Sequence, residues 1–144
     1  MAYTDYTELK KRLPASVVKS LTDDLQQGAY DPDFVNQAIA DADSLIDIYI
    51  GGRYVTPVVT PPSIIEMYSC NITIKLLYER RMGSVLPEII VERFNITMAA
   101  LAEIRSGKLD IAAALNSTVS PFASNKTAGD RIFTTTELDK MYGF

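Results

Sequence analysis

Residues 31–54, DPDFVNQAIADADSLIDIYIGGRY, constrain the fold more than any other stretch of this chain. Val35, Ala38, Ile39, Ala42, Ile46, Tyr49 and Ile50 recur at the 3.6-residue period of a helix. Asp33, Asn36, Gln37, Ala40, Asp43, Ser44 and Asp47 recur at the same period and form a wet, acidic stripe on the other side. Asp31 is placed to cap the first turn, and Pro32 suits the first helical position, where no amide hydrogen is needed. Gly51 and Gly52 follow the last apolar residue and are expected to close the helix in a left-handed turn. A helix with one apolar stripe needs partners, so the chain is expected to build a bundle.

Prolines and glycines divide the rest. The segment Thr4 to Leu13 predicts a short helix capped by Thr4 or by Asp5, with Glu8 three residues after Asp5, that turns Tyr6, Leu9 and Leu13 inward. Pro14 ends it and opens a second, Ala15 to Leu21, followed by a loop over Thr22–Tyr30. GGRYVTPVVTPP, residues 51–62, cannot be helical and is expected to be extended, with a short edge strand over Tyr54–Val59. Pro61 and Pro62 introduce a helix over Ser63–Arg81. It is apolar on two faces, one marked by Ile65, Tyr68, Ile72 and Leu76 and the other by Met67, Cys70, Ile74 and Leu77, which makes it the central helix; Gly83 is placed just past its end. Pro87 opens a last long helix that ends at Ser106 before Gly107, with Ile90, Phe94, Met98, Leu101 and Ile104 inside. The Ala-rich Leu109–Leu115 suggests another helical turn or two. The expected fold is therefore all-α: a single small bundle of four to five helices over residues 1–115, with an extended Gly/Pro loop and a protruding C-terminal arm over residues 116–144. The arm begins polar and ends apolar, with Ile132, Phe133, Leu138, Met141, Tyr142 and Phe144, a pattern that fits either folding back onto its own domain or docking on a partner.

Several chemistries find no residues to perform them. The 144 residues contain no histidine, which removes the commonest general base and metal ligand. Cys70 is the single cysteine; without a histidine it has no base to activate it, and it is expected as a buried core thiol in a reducing compartment. Asp41, Asp43 and Asp47 read as a solvated helix face, and DDLQQGAYDPD, residues 23–33, lacks the register of a calcium loop and reads as capping. No glycine pattern that cradles phosphate occurs, and the sequons starting at Asn71, Asn95, Asn116 and Asn125 have no secretory context. No enzyme, cofactor or metal is expected. A net charge of −4 argues against general nucleic-acid affinity, and no apolar run is long enough to span a membrane. Residues 1–72 hold 10 acids and 5 bases, and residues 73–144 hold 8 acids and 9 bases, so one half of a copy could face the other half of its neighbour.

Taken together, ADAD at residues 40–43 with Ile46, Asp47 and Tyr49, then Gly52-Arg53-Tyr54 with Pro57, Leu77-Tyr78, and finally Ile132-Phe133 and Gly143-Phe144, resemble the small helical head–tail connector, or adaptor, proteins of Mu-like tailed phages and prophages. The loop before Asp31 lacks the denser Asp/Gly run of many such proteins. The resemblance implies a structural virion protein made in the host bacterial cytoplasm. It would form a homo-oligomeric, dodecameric ring in the virion neck, beneath the portal, joining the capsid to neck or tail-terminator proteins and continuing the DNA channel. It also implies portal contact by Ile132, Phe133, Leu138, Met141, Tyr142 and Phe144. Gly51, Gly52, Arg53, Tyr54 and Pro57 become candidates for contact between copies, and Asp43 and Asp47 for an acidic channel or subunit face past which DNA moves without specific binding. Alternatives are a neck, tail-terminator or tail-completion protein one layer lower, a small helical DNA-binding module, or a small intracellular enzyme.

Overall fold

The computed structural model of the chain describes residues 2–81 and 85–115. Five helices follow in order: α1 (Tyr6–Arg12), α2 (Ala15–Thr22), α3 (Pro32–Ile50), α4 (Ser63–Arg80) and α5 (Glu88–Ser106). Among the described residues no strand forms, only one isolated antiparallel bridge between Tyr54 and Leu115. The fold is all-α, and its helix limits lie within a residue or so of those read from sequence. The proline and glycine signals explain this agreement. Asp5 accepts from the Glu8 amide, and Asp31 from the Asp33 amide, with Pro32 in the first turn. Gly107 closes α5 with φ at 81°, a conformation that costs glycine nothing. Gly83, the expected stop for α4, lies outside the described residues.

Helix α4 is the centre and touches all four others, as its two apolar faces require. The core has two halves. In one, Ile46 and Ile50 near the end of α3 meet Ile65 and Tyr68 near the start of α4, with Leu101 and Ile104 of α5. In the other, Val35, Ala38 and Ile39 near the start of α3 meet Ile74 and Leu77 of α4, Ile90 of α5, and Leu9, Val18 and Leu21 of the two short helices. This order makes α3, α4 and α5 an up–down–up bundle, with α1 and α2 closing one end. Each fully buried aliphatic side chain contributes about 1.5–3 kcal/mol of transfer free energy. Cys70 is a buried free thiol 2.9 Å from the Thr4 hydroxyl, and burial pushes its pKa up.

The acids of residues 23–33 are used within the fold. Asp23 accepts from the amides of Gln27 (2.7 Å) and Gly28 (2.8 Å). Asp24 pairs with Arg80, whose guanidinium also bonds the Leu21 carbonyl and lies 3.5 Å over the Phe34 ring. That stitch ties the α2–α3 loop to the end of α4.

Candidate functional site around Arg53 and Tyr54

The turn after α3 was read from sequence as a left-handed closure. It is instead a right-handed continuation. Gly51 has φ −62° and ψ −19°, and the amides of Arg53 and Tyr54 both bond the Ile50 carbonyl at 2.9 Å. Glycine is required at 51 for space: a Cβ there would stand 2.7 Å from the Asp47 carbonyl oxygen. Gly52 faces open space.

This turn is stitched to the far end of α5. Arg53 pairs with Asp110 at 2.5 Å, reaches the Ile104 carbonyl at 3.4 Å and covers the Tyr54 ring at 5.5 Å. Tyr54 is buried at 1% exposure. Its phenol donates to the same Asp110 carboxylate and accepts from the Ile111 amide, both at 3.2 Å. One residue on, the Val55 amide donates to the Ala114 carbonyl at 2.9 Å. Residues 109–115 therefore form bends and a single bridge residue rather than a helical turn. The reason is long-range: the Ile111 amide is taken by the Tyr54 phenol and the Ala114 carbonyl by the Val55 amide, which leaves neither for a helical turn. The antiparallel bridge directs the chain at Leu115 back toward the Gly51–Arg53 turn. Pro57 follows a cis bond from Thr56 and, with Val55, Val58, Val59, Thr60 and Ala112–Ala114, lines a shallow groove of about 230 Å³. Val55, Val59 and Leu115 are exposed beside it.

Asp43 and Asp47 require a correction. The pattern put both on the wet stripe, but Asp43 is only 7% exposed. One of its oxygens accepts from the Ser69 hydroxyl at 2.6 Å and the other from the Tyr3 amide at 2.9 Å. Burial raises its pKa above the ordinary 3.8, and the hydrogen bonds from Ser69 and Tyr3 oppose that rise. Asp47 accepts from the Tyr3 phenol, which also accepts from the Val58 amide at 2.9 Å. In the folded subunit the pair anchors the residues before α1. Ser69 and Asp110 escape a reading of the sequence, and so does the role of Tyr3, because each acts on a residue at least 26 positions away. Ile132, Phe133, Leu138, Met141, Tyr142 and Phe144 lie outside the described residues, and no three Cys, Asp or Glu side chains converge among those described.

The sequence model of the family described as "Bacteriophage Mu, Gp36" matches residues 3–128. The chain belongs to this family. A relative from Haemophilus influenzae (strain ATCC 51907 / DSM 11121 / KW20 / Rd), the "Mu-like prophage FluMu protein gp36", is 33% identical over 109 residues, which is 76% of this chain and 74% of that one. "Gene product J" of Escherichia phage Mu is 32% identical over 83 residues, 58% of this chain and 56% of that one. The chain is thus a Mu-like phage protein, and no helix among its described residues is long and apolar enough to cross a membrane. The Gp36 match takes in both partners of the Arg53–Asp110 pair and the bridge to Leu115, and it ends before Ile132.

Proposed function

We propose that this Gp36-family chain is a head–tail connector of the virion neck. It forms a ring beneath the portal, joins the capsid to neck or tail-terminator proteins, and continues the DNA channel. The role is mechanical and not enzymatic, with no cofactor or metal. The observation that carries this reading is the fixed root of the C-terminal segment. Tyr54, Val55, Asp110 and Ala114 hold the chain at Leu115 against a rigid three-helix bundle. In sequence, residues 116–144 follow this root and end with the apolar Ile132, Phe133, Leu138, Met141, Tyr142 and Phe144. A root fixed at Leu115 is the same in each copy of a ring, so weak contacts to a ring-shaped partner add through effective concentration.

Gly51, Gly52, Arg53 and Pro57 lie at that root and remain candidates for contact between copies, while Tyr54 serves the subunit's own core. Asp43 and Asp47 are replaced as candidates for the acidic channel face by Asp33 and Asp41, which are exposed on α3. Removing Ile132–Phe144 tests the reading. Portal binding is expected to fall to background with the melting temperature of the bundle unchanged. Unchanged portal binding overturns the docking role, and a large loss of stability assigns the segment to the subunit's own core.

A further inference from the structure

Two tyrosines hold the connector between α3 and α4, Tyr54 near its start and Tyr3 at Val58, and their phenol oxygens are used alike. Tyr54 Oη donates to Asp110 and accepts from the Ile111 amide. Tyr3 Oη donates to Asp47 and accepts from the Val58 amide. Both rings are almost fully buried, at 1% and 3%. Tyr3, however, comes from the short strap before α1, 55 positions from the backbone group it holds. The strap is pinned independently of that phenol. The Tyr3 amide donates to Asp43, which Ser69 steadies from α4, and the Thr4 hydroxyl lies 2.9 Å from Cys70.

We infer that Tyr3 is a positioning residue that latches the connector and, through it, sets the root of the C-terminal segment. The physical chain is short. The Tyr3 phenol fixes Val58, Val58 fixes the path of residues 55–58, and that path offers the Val55 amide on which Ala114 is held. Val58 is itself buried at 5% exposure, so leaving its amide in an apolar setting without a partner is costly. The phenol stays a donor through the physiological range, because burial and the Asp47 carboxylate raise its pKa well above the ordinary 10.0.

Hydrogen exchange on the full chain tests the latch. Tyr3→Phe removes one oxygen and keeps the ring. The expected result is about tenfold faster exchange in residues 55–60 and 109–115, with α4 and α5 unchanged. Ser69→Ala, which loosens the strap without touching the phenol, is expected to leave residues 109–115 at the wild-type rate. Faster exchange confined to residues 2–8 in Tyr3→Phe, or equal effects of the two variants on residues 109–115, overturns the latch. Portal binding on the same samples separates the two ideas. Failure of the wild-type chain to bind overturns the connector reading, while the exchange pattern still decides the latch.

Discussion

Arg53 and Asp110 form an ion pair at 2.5 Å across the gap between the end of α3 and the segment after α5. Asp110 is mostly exposed and also receives the Tyr54 phenol. An exposed pair of this kind contributes about 0.2–1 kcal/mol, so its value lies in direction rather than stability. Arg53→Ala is expected to lower unfolding free energy by no more than about 1 kcal/mol. A double-mutant cycle with Asp110→Ala, read by urea unfolding, is expected to give a coupling inside that same range. Ring formation or portal docking, measured in parallel, is expected to fall much more than stability does. Normal assembly of Arg53→Ala would return the turn to a plain connector.

The three glycines around this contact separate by cause. Gly107 has φ at 81°, and a Cβ there would stand 3.0 Å from the Arg53 guanidinium. Gly107→Ala is therefore expected to cost about 1 kcal/mol or somewhat more. Gly51→Ala is expected to be at least as damaging, because the carbonyl it would strike is backbone and cannot swing away. Gly52→Ala faces open space and is expected to lie within about 0.5 kcal/mol of wild type. Thermal melts of the three variants check the order, and a Gly52 variant as unstable as Gly51→Ala would contradict the geometry of the turn.

Asp43 makes a prediction about pH. Its native pKa is raised, so the proton binds more tightly in the folded chain than in the unfolded one. The stability this contributes is fully present below the unfolded value near 3.8 and is lost as pH rises through the native value. Asp43→Asn keeps a group that can accept from the Tyr3 amide and donate to the Ser69 oxygen. The difference in unfolding free energy, wild type minus Asp43→Asn, is expected to increase as pH falls from neutral toward 4. Asp43→Ala strands both partners and is expected to cost about 1–3 kcal/mol at neutral pH. A flat difference across the same range would place Asp43 in water.

The core makes the plainest contrast. Leu101 is fully buried between α3 and α4, whereas Ile48 is 75% exposed on α3. Leu101→Ala is expected to cost about 2–5 kcal/mol and Ile48→Ala less than about 0.5 kcal/mol, read by chemical denaturation. A large loss at Ile48 in a sample held monomeric would show a core that includes the outer side of α3.

The helices were legible because their signals are local. Asp5, Asp31, Pro32 and Gly107 each act within a few residues, and the two-faced pattern of residues 63–81 already placed α4 at the centre. Asp43 shows where local reading stops. It lies four residues after Ile39 and three before Ile46, which is the edge of the apolar stripe, and its side depends on Tyr3 and Ser69. Residues 109–115 fail for the same reason. Three consecutive alanines favour a helix, but the Tyr54 phenol and the Val55 amide, more than 50 positions earlier, claim their backbone first. The turn at Arg53 is a candidate contact between copies on its sequence, and within the subunit it holds Asp110 and the Ile104 carbonyl. The left-handed closure expected there does not form, since neither Gly51 nor Gly52 takes a positive φ, and two consecutive glycines signal freedom without requiring its use. The terminal apolar residues from Ile132 onward belong to the same contact question and are answered by experiment.

The most direct measurement is electron microscopy of isolated portal rings mixed with the full chain in the absence of tail components. The connector account predicts an added ring of density on one face of the portal, lost when Ile132–Phe144 is deleted. Portal particles that stay bare beside a folded chain, or a layer that forms only on completed tails, would contradict it.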